Sequence, residues 1–388
     1  ATSMHKVLLI GAGSICRTHI DAFEGLHGRA KVVGIVARHQ ESAQKAIDNA
    51  GLDAKAYTDY KQAIADSGCD IVSVMTPPDT HKEITVYALE HGCHVMVEKP
   101  MAPSLQECDE MIEAAKRTGN KLEVVAQSRC LTPIYRTKRL IESGIAGKLL
   151  YTQINSFWYR GRSYYDLAWR GQWASEGGGC TFVHAVHHID LLAWMAGMPS
   201  QVSAMIGNVA HTNSEEEDLS MAMLRYPNGS FAQLSANLVC HGQKQALTFA
   251  CEKANLEIPH AFSADTPLEN GFPKENTEFL QELNDAFEAI PPLEYEGHAG
   301  LADDLVRAID EDRPVLINGE AGRATMELIM AVYKSAAEGR TVDLPLAKDD
   351  PFYTREGVQA KMPHFYKKTG FLAKFAKDEI VLASSNMK

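Results

Sequence analysis

Three groups of residues in this 388-residue chain have types and spacings suited to chemistry. Gly11-Ala12-Gly13 directly follows the apolar run Lys6-Val7-Leu8-Leu9-Ile10. Glu98-Lys99-Pro100 ends the apolar run His94 to Val97. His184, His187 and His188 lie in an apolar stretch opened by Gly177-Gly178-Gly179 and closed by Gly197. A glycine turn between a strand and a helix suits a pyrophosphate, because free N–H groups and the helix dipole favour anions there. Proline stops the strand after Lys99, holding that lysine at a carboxyl edge, extended or in a turn. A lysine so placed is a catalytic acid, a partner for an oxyanion, or a solvated loop residue. The histidines fall at i, i+3 and i+4, on one side of a helix. They are hydrogen-bonded core residues, metal ligands or a general base near neutral pKa. No nearby cysteine or second carboxylate completes a metal set, so no metal is expected.

The elements that must position these groups follow from pattern. Strands are expected over 6–10, 31–36, 70–75, 94–97 and 122–126, with helices at 16–26, 41–49, 80–90 and 104–117 between them. Repeated strand–helix units of this length predict an α/β, doubly wound parallel sheet. The loops at 76–81 and 98–100 then share the edge of the glycine turn. The third glycine position holds Cys16, small enough to pack there. Where NAD-specific domains place an acid, at the end of the second strand, this chain has Ala37-Arg38-His39. Arg38 suits an adenine face or a 2′-phosphate, so NAD and NADP both stay open.

After 127–129 the pattern changes. A helix is expected at 132–143 and a long strand at 148–158. Strands follow at 201–209, 219–226, 230–238, 245–251 and 254–258, with Asn228-Gly229 marking a hairpin. The region is read as α+β with an open, mainly antiparallel sheet. Residues 160–173 are aromatic and basic, with Trp169 and Arg170 among them, a composition that suits a sugar ring. The stretch 177–197 reads as one buried helix. The run Glu215-Glu216-Glu217-Asp218 reads as a solvated loop, and 260–276 as a loop insertion. Helices close the pattern at 278–289, 300–310 and 319–338. Residues 349–388 form an unassigned extension, and Ala1-Thr2-Ser3-Met4 reads as a remnant ahead of a natural start.

Bulk properties bound the rest. The length suggests two domains of about 150 residues each. A formal net charge of -12, without basic runs, argues against nucleic acid. Absence of a long apolar stretch or leader argues against a membrane. Eight cysteines, none in a C-x-x-C pair, suggest a reducing, cytoplasmic compartment.

With these residues in view, the chain resembles the glucose–fructose oxidoreductase/inositol dehydrogenase/MocA family. The likeness is carried by Gly11-Ala12-Gly13, Thr76-Pro77-Pro78 with His81, Glu98-Lys99-Pro100, Trp169-Arg170, Gly177-Gly178-Gly179 through His187-His188-Ile189-Asp190, and the stretch from Arg340 to Leu346. It runs in order over about residues 5–346. The resemblance implies a Rossmann domain at 5–128, a substrate and oligomerisation domain at 129–346, and an extension at 347–388. It implies NAD(P)-dependent oxidation of a sugar, glycoside or cyclitol hydroxyl, and a homo-oligomer, dimer or tetramer. Lys99 and His187 match the family's catalytic lysine and histidine. The cofactor is then expected against Gly11, Gly13, Ser14, Ile15, Arg38, Thr76, Pro77, His81, Glu98, Lys99 and Gln127. The substrate is expected against Lys99, Trp169, Arg170, His184 and His187. The family's usual carboxylate or amide four residues before the histidine is Val183 here, and His184 is the neighbour placed to orient substrate instead. Two other readings stay open: a glycoside hydrolase or lyase working through a transient 3-keto sugar, and a redox-silent cofactor-binding subunit.

Overall fold

Short β-branched runs bounded by turn residues make the first sheet. In the computed structural model, which describes residues 3–377, they are β1 His5–Ile10, β2 Ala30–Val36, β3 Lys55–Tyr57, β4 Ile71–Val74, β5 His94–Val97 and β6 Leu122–Val124. All pair in parallel in the order β3-β2-β1-β4-β5-β6. Strands β4 and β5 are buried almost end to end, as a parallel sheet covered by helices on both faces requires. Two elements escaped the sequence reading: β3, and the helix Tyr60–Ser67, which Asp59 caps by accepting the Lys61 N–H at 2.9 Å.

The chain divides into two compact units. One unit holds the chain as far as Cys130 together with Glu294–Met326; the other holds Leu131–Leu293 and the chain from Glu327 onward. The helix His298–Glu311, assigned from sequence to the second domain, packs on the helix Cys16–Glu24 of the first. Beyond it, Ile317 accepts the Val124 N–H at 2.9 Å and donates to Glu123 Oε2 at 2.7 Å. The first unit is therefore completed by chain that arrives about 170 residues after its last strand.

In the second unit, seven strands form a mixed sheet. These are β7 Leu149–Phe157, β8 Gln201–Gly207, β9 Leu219–Arg225, β10 Phe231–Asn237, β11 Gln245–Cys251, β12 Asn255–Ile258 and, separated from them in sequence by a hairpin of β13 Asp265–Pro267 and β14 Pro273–Glu275, β15 Val342–Asp343. All pairings are antiparallel except β10 with β7. Period-2 alternation is plain in β9: Ser220, Ala222 and Leu224 are buried, while Met221, Met223 and Arg225 are exposed. The expected loop insertion at 260–276 thus carries a small hairpin, in which Pro267 lies opposite Pro273. The C-terminal extension holds a helix, Arg355–Lys361, and then runs extended against the second unit. Ala1, Thr2 and residues 378–388, the ends of the expected remnant and extension, lie outside the described residues. Among the described residues, no helix is long and apolar enough to cross a membrane.

Candidate functional site

At the carboxyl edge of the first sheet, the glycine turn is enforced by a close approach. Gly11 has φ +117°, and a Cβ there would lie 2.9 Å from the Met75 carbonyl oxygen. Gly13 is the opposite case: it is exposed, and a Cβ on it would meet nothing within 4 Å. This leaves bare backbone ahead of the helix Cys16–Glu24, with Ser14 and Ile15 between. Cys16 is buried, and that burial pushes its thiol up to about 11, so it packs as a small neutral side chain. Arg38 is exposed beyond β2, with no carboxylate in the adjoining positions 37 and 39. The Oε1 of Gln127, in the turn after β6, is buried without a hydrogen bond. Open backbone at Gly13 and this orphaned amide oxygen fit a dinucleotide laid along the edge.

The two loops beside the glycine turn are stitched together by His81. It is 1 % exposed; Nε2 is 2.7 Å from the Thr76 carbonyl, and Nδ1 is 3.0 and 3.2 Å from those of Pro100 and Met101. Burial lowers its pKa, working against the hydrogen bonds to these carbonyls, which favour the charged ring. The sequence reading offered His81 to the cofactor. Its nitrogens are instead spent on backbone carbonyls, and what it positions is the Thr76-Pro77 loop against the turn after Lys99.

Glu98 is likewise internal. Its Oε1 accepts from His19 Nε2 at 2.7 Å and from His298 Nε2 at 2.9 Å, and its Oε2 accepts the Lys99 N–H at 3.1 Å. Burial works to raise its pKa, but the two histidine hydrogen bonds outweigh that and hold the carboxyl well below the usual range. Glu98 is therefore an anion facing inward, and a direct cofactor contact from its carboxylate is not what this geometry offers. Lys99 itself is half-buried at the strand end.

In the second unit the expected single helix is two. Cys180–Val183 ends at His184, the Cys180 carbonyl accepts from both His184 and Ala185, and a new helix runs Val186–Ala196. The three histidines thus have separate fates. His188 is buried, with Nδ1 2.5 Å from Ser156 Oγ and its ring stacked on Trp158, and burial lowers its pKa to about 4. It is a neutral core residue. His187 is half-buried, and His184 Nε2 lies 3.5 Å from Tyr164 Oη. Arg170 stacks between Tyr164 and Trp169, at 4.0 and 4.2 Å from their ring centroids, and donates to Tyr164 Oη. Trp169 is 45 % exposed. The aromatic-basic stretch and His184 thus form one contiguous patch.

The acidic run 215–218 is the clearest correction. Glu216, Glu217 and Asp218 are each 0 % exposed. Glu217 accepts from the N–H groups of Gly179 and Thr181 at 3.0 and 3.1 Å and from Tyr333 Oη at 2.9 Å. Asp218 accepts from the N–H groups of Val209 and Ala210 and pairs with His211 at 2.8 Å. A charge run is usually solvated; here Glu217 and Asp218 satisfy backbone donors stranded inside. The signal lay in Gly177-Gly178-Gly179, since a Cβ on Gly179 would sit 2.2 Å from the Glu217 carbonyl oxygen. The C-terminal extension also reaches this region. Phe365 N–H donates to the Glu215 carbonyl, Trp173 Nε1 to that of Pro363, and Lys368, 4 % exposed, to that of Tyr165.

Comparison with known proteins bears on this arrangement. Residues 5–126 match the profile of an oxidoreductase family with an NAD-binding Rossmann fold, and residues 134–257 match the GFO/IDH/MocA C-terminal domain. The chain is 25 % identical over 323 residues to a 2,7-anhydro-N-acetylneuraminate hydratase of Mediterraneibacter gnavus, covering 76 % of this chain and 85 % of that one. It is 26 % identical to a levoglucosan dehydrogenase of Pseudarthrobacter phenanthrenivorans, covering 88 % and 98 %. Among solved structures, it resembles the WlbA dehydrogenase of Bordetella pertussis in complex with NADH and UDP-GlcNAcA. The TM-score there is 0.77 and the identity 26 %, covering 89 % and 100 %.

Proposed function

Because the chain belongs to the Gfo/Idh/MocA family of NAD(P)-dependent oxidoreductases, we propose that it oxidises a secondary hydroxyl of a sugar, glycoside or cyclitol to the ketone. On a hexopyranoside the C3 hydroxyl is the proposed site. The observation that carries the reading is the convergence, at one sheet edge, of the open Gly13 backbone, the His81-stitched loop and the turn bearing Lys99. Gly11, Gly13, Ser14, Ile15, Arg38, Thr76, Pro77 and Gln127 are the residues proposed to hold the dinucleotide. When bound, the nicotinamide supplies the hydride acceptor. His187 takes the hydroxyl proton as the carbonyl forms, and the Lys99 ammonium stabilises negative charge on that oxygen. With Val183 where the family usually has a carboxylate or amide, His184, Arg170 and Trp169 orient the ring. Lys99→Ala and His187→Ala should each cut turnover about 100-fold or more. The assay is NADH absorbance with levoglucosan and UDP-GlcNAcA as first probes, and wild-type turnover in either folded variant would refute that residue's role.

A second reading has one observation in its favour: the Mediterraneibacter relative is named a hydratase. Under it, the ring is oxidised and reduced again within one cycle, and product forms with no net change in cofactor. Product analysis alongside NADH absorbance separates the two. The eight free thiols support a cytoplasmic setting, and a homo-oligomer is proposed through the open face of the second sheet.

A further inference from the structure

Four side chains form a hydrogen-bonded chain behind Lys99. Ser73 Oγ is 2.7 Å from His19 Nδ1, His19 Nε2 is 2.7 Å from Glu98 Oε1, and His298 Nε2 meets the same oxygen at 2.9 Å. All four are buried. A carboxylate only accepts, so both Nε2 atoms carry hydrogen and donate. The set also contains the residue types of a metal site. However, an ion held about 2.0–2.1 Å from each ligand would spread these atoms to about 3.3 Å. The separations of 2.7 and 2.9 Å are hydrogen bonds.

We propose that His298 is a positioning residue for Lys99, acting through Glu98. With Oε1 gripped by two imidazoles, the carboxylate cannot rotate, and Oε2 is presented to the Lys99 N–H. That bond fixes the turn from which the lysine side chain departs. His298 comes from the segment that returns to the first unit after residue 294, so this turn is held by chain folded onto it from far away in sequence. Removing His298 takes one of the two imidazole donors from a buried anion, which then tilts to find another and releases the Lys99 amide. The inference rests on the assignment of Lys99 above, and the experiment keeps the two separable.

The test compares the full chain with His298→Leu, His298→Gln and Lys99→Ala. Glutamine can place a donor near the position of Nε2; leucine cannot. Amide hydrogen exchange of Lys99 should quicken about tenfold in His298→Leu, with His94–Val97 unchanged, and return to within about threefold in His298→Gln. NADH affinity, titrated by its fluorescence, should stay within about twofold. On a sugar that wild type oxidises, kcat should fall about tenfold in His298→Leu at nearly constant KM, with recovery in His298→Gln. If His298→Leu does not fold, His298→Asn, too short to reach Oε1, takes its place. Unchanged Lys99 protection on loss of the donor overturns the proposal, as does loosening that spreads through β5. Full turnover in Lys99→Ala removes the lysine assignment and leaves the amide result standing. An inactive Lys99→Ala beside a fully active His298→Leu removes the positioning role alone.

Discussion

Glu216 shows how far burial can move a single carboxyl. It has no exposed surface, no N–H or hydroxyl group donates to either oxygen, and the side chain it meets in a hydrogen bond is another carboxyl, that of Glu176. Burial, and then the neighbouring Glu176, push its pKa well above the ordinary value. A carboxylic acid raised in the folded state binds its proton there more tightly than in the unfolded chain, whose value is about 4.3. Its contribution to stability is therefore complete below about pH 4 and declines as pH climbs toward the folded value. Glu216→Gln, isosteric and always neutral, should escape that decline. We expect its melting temperature to match wild type near pH 4 and to exceed it progressively from pH 5 to pH 8. Parallel melting curves across that range would show that Glu216 is ionised in the fold. Glu217 is one residue away but is held by two N–H groups and a tyrosine hydroxyl. Glu217→Gln should destabilise by about 1–3 kcal/mol, because its amide cannot accept all of those donors.

Elements were legible in the sequence wherever a local rule governs them. The strands from β1 to β12 other than β3 were found because they are short, apolar or alternating, and punctuated by glycine and proline. The glycine turn and Lys99 at a strand end followed from the same punctuation. What periodicity cannot give is a partner. It shows that the helix His298–Glu311 has an apolar face, with Leu301, Ala302, Leu305 and Val306 buried, but not that this helix packs on the helix Cys16–Glu24. His298 was missed as a site residue for that reason, and Glu216 because solvation is the default for a charge run. The consequence is testable at the scale of the element. Each of Leu301, Leu305 and Val306 contributes about 1.5–3 kcal/mol by burial, against a total domain stability of about 5–15 kcal/mol. Residues 5–130 alone should lack a cooperative unfolding transition by circular dichroism. The same stretch joined through a flexible linker to 294–326 should regain one. A cooperative transition in the shorter piece would show that the returning segment is dispensable.

At the scale of the molecule, two opposing properties decide association. One face of the second sheet buries Val202, Leu224, Leu234, Ile154 and Phe249. Its other face is open and apolar: Met205 is 82 % exposed, Met223 63 %, Met221 56 % and Phe231 44 %. Register makes these one patch, with Met205 opposite Met221, and Phe231 opposite Tyr151. Methionines on a sheet face adapt to an apolar partner, and each side chain buried there gains about 1.5–3 kcal/mol, offsetting an association cost of about 4–15 kcal/mol. Against this, each chain carries a formal charge of -12, so two copies repel over about 10 Å in 0.1 M salt and over about 3 Å in 1 M. An association driven by the apolar face must therefore tighten as salt rises, whereas one held by ion pairs would loosen. Light scattering after gel filtration should find an oligomer whose dissociation constant falls between 0.1 M and 1 M NaCl. A double variant, Met221→Asp with Met223→Asp, sets like charges in the centre of the patch and should run as a monomer with an unchanged circular dichroism spectrum. An oligomer that survives the double substitution, or that weakens with salt, would place the interface elsewhere.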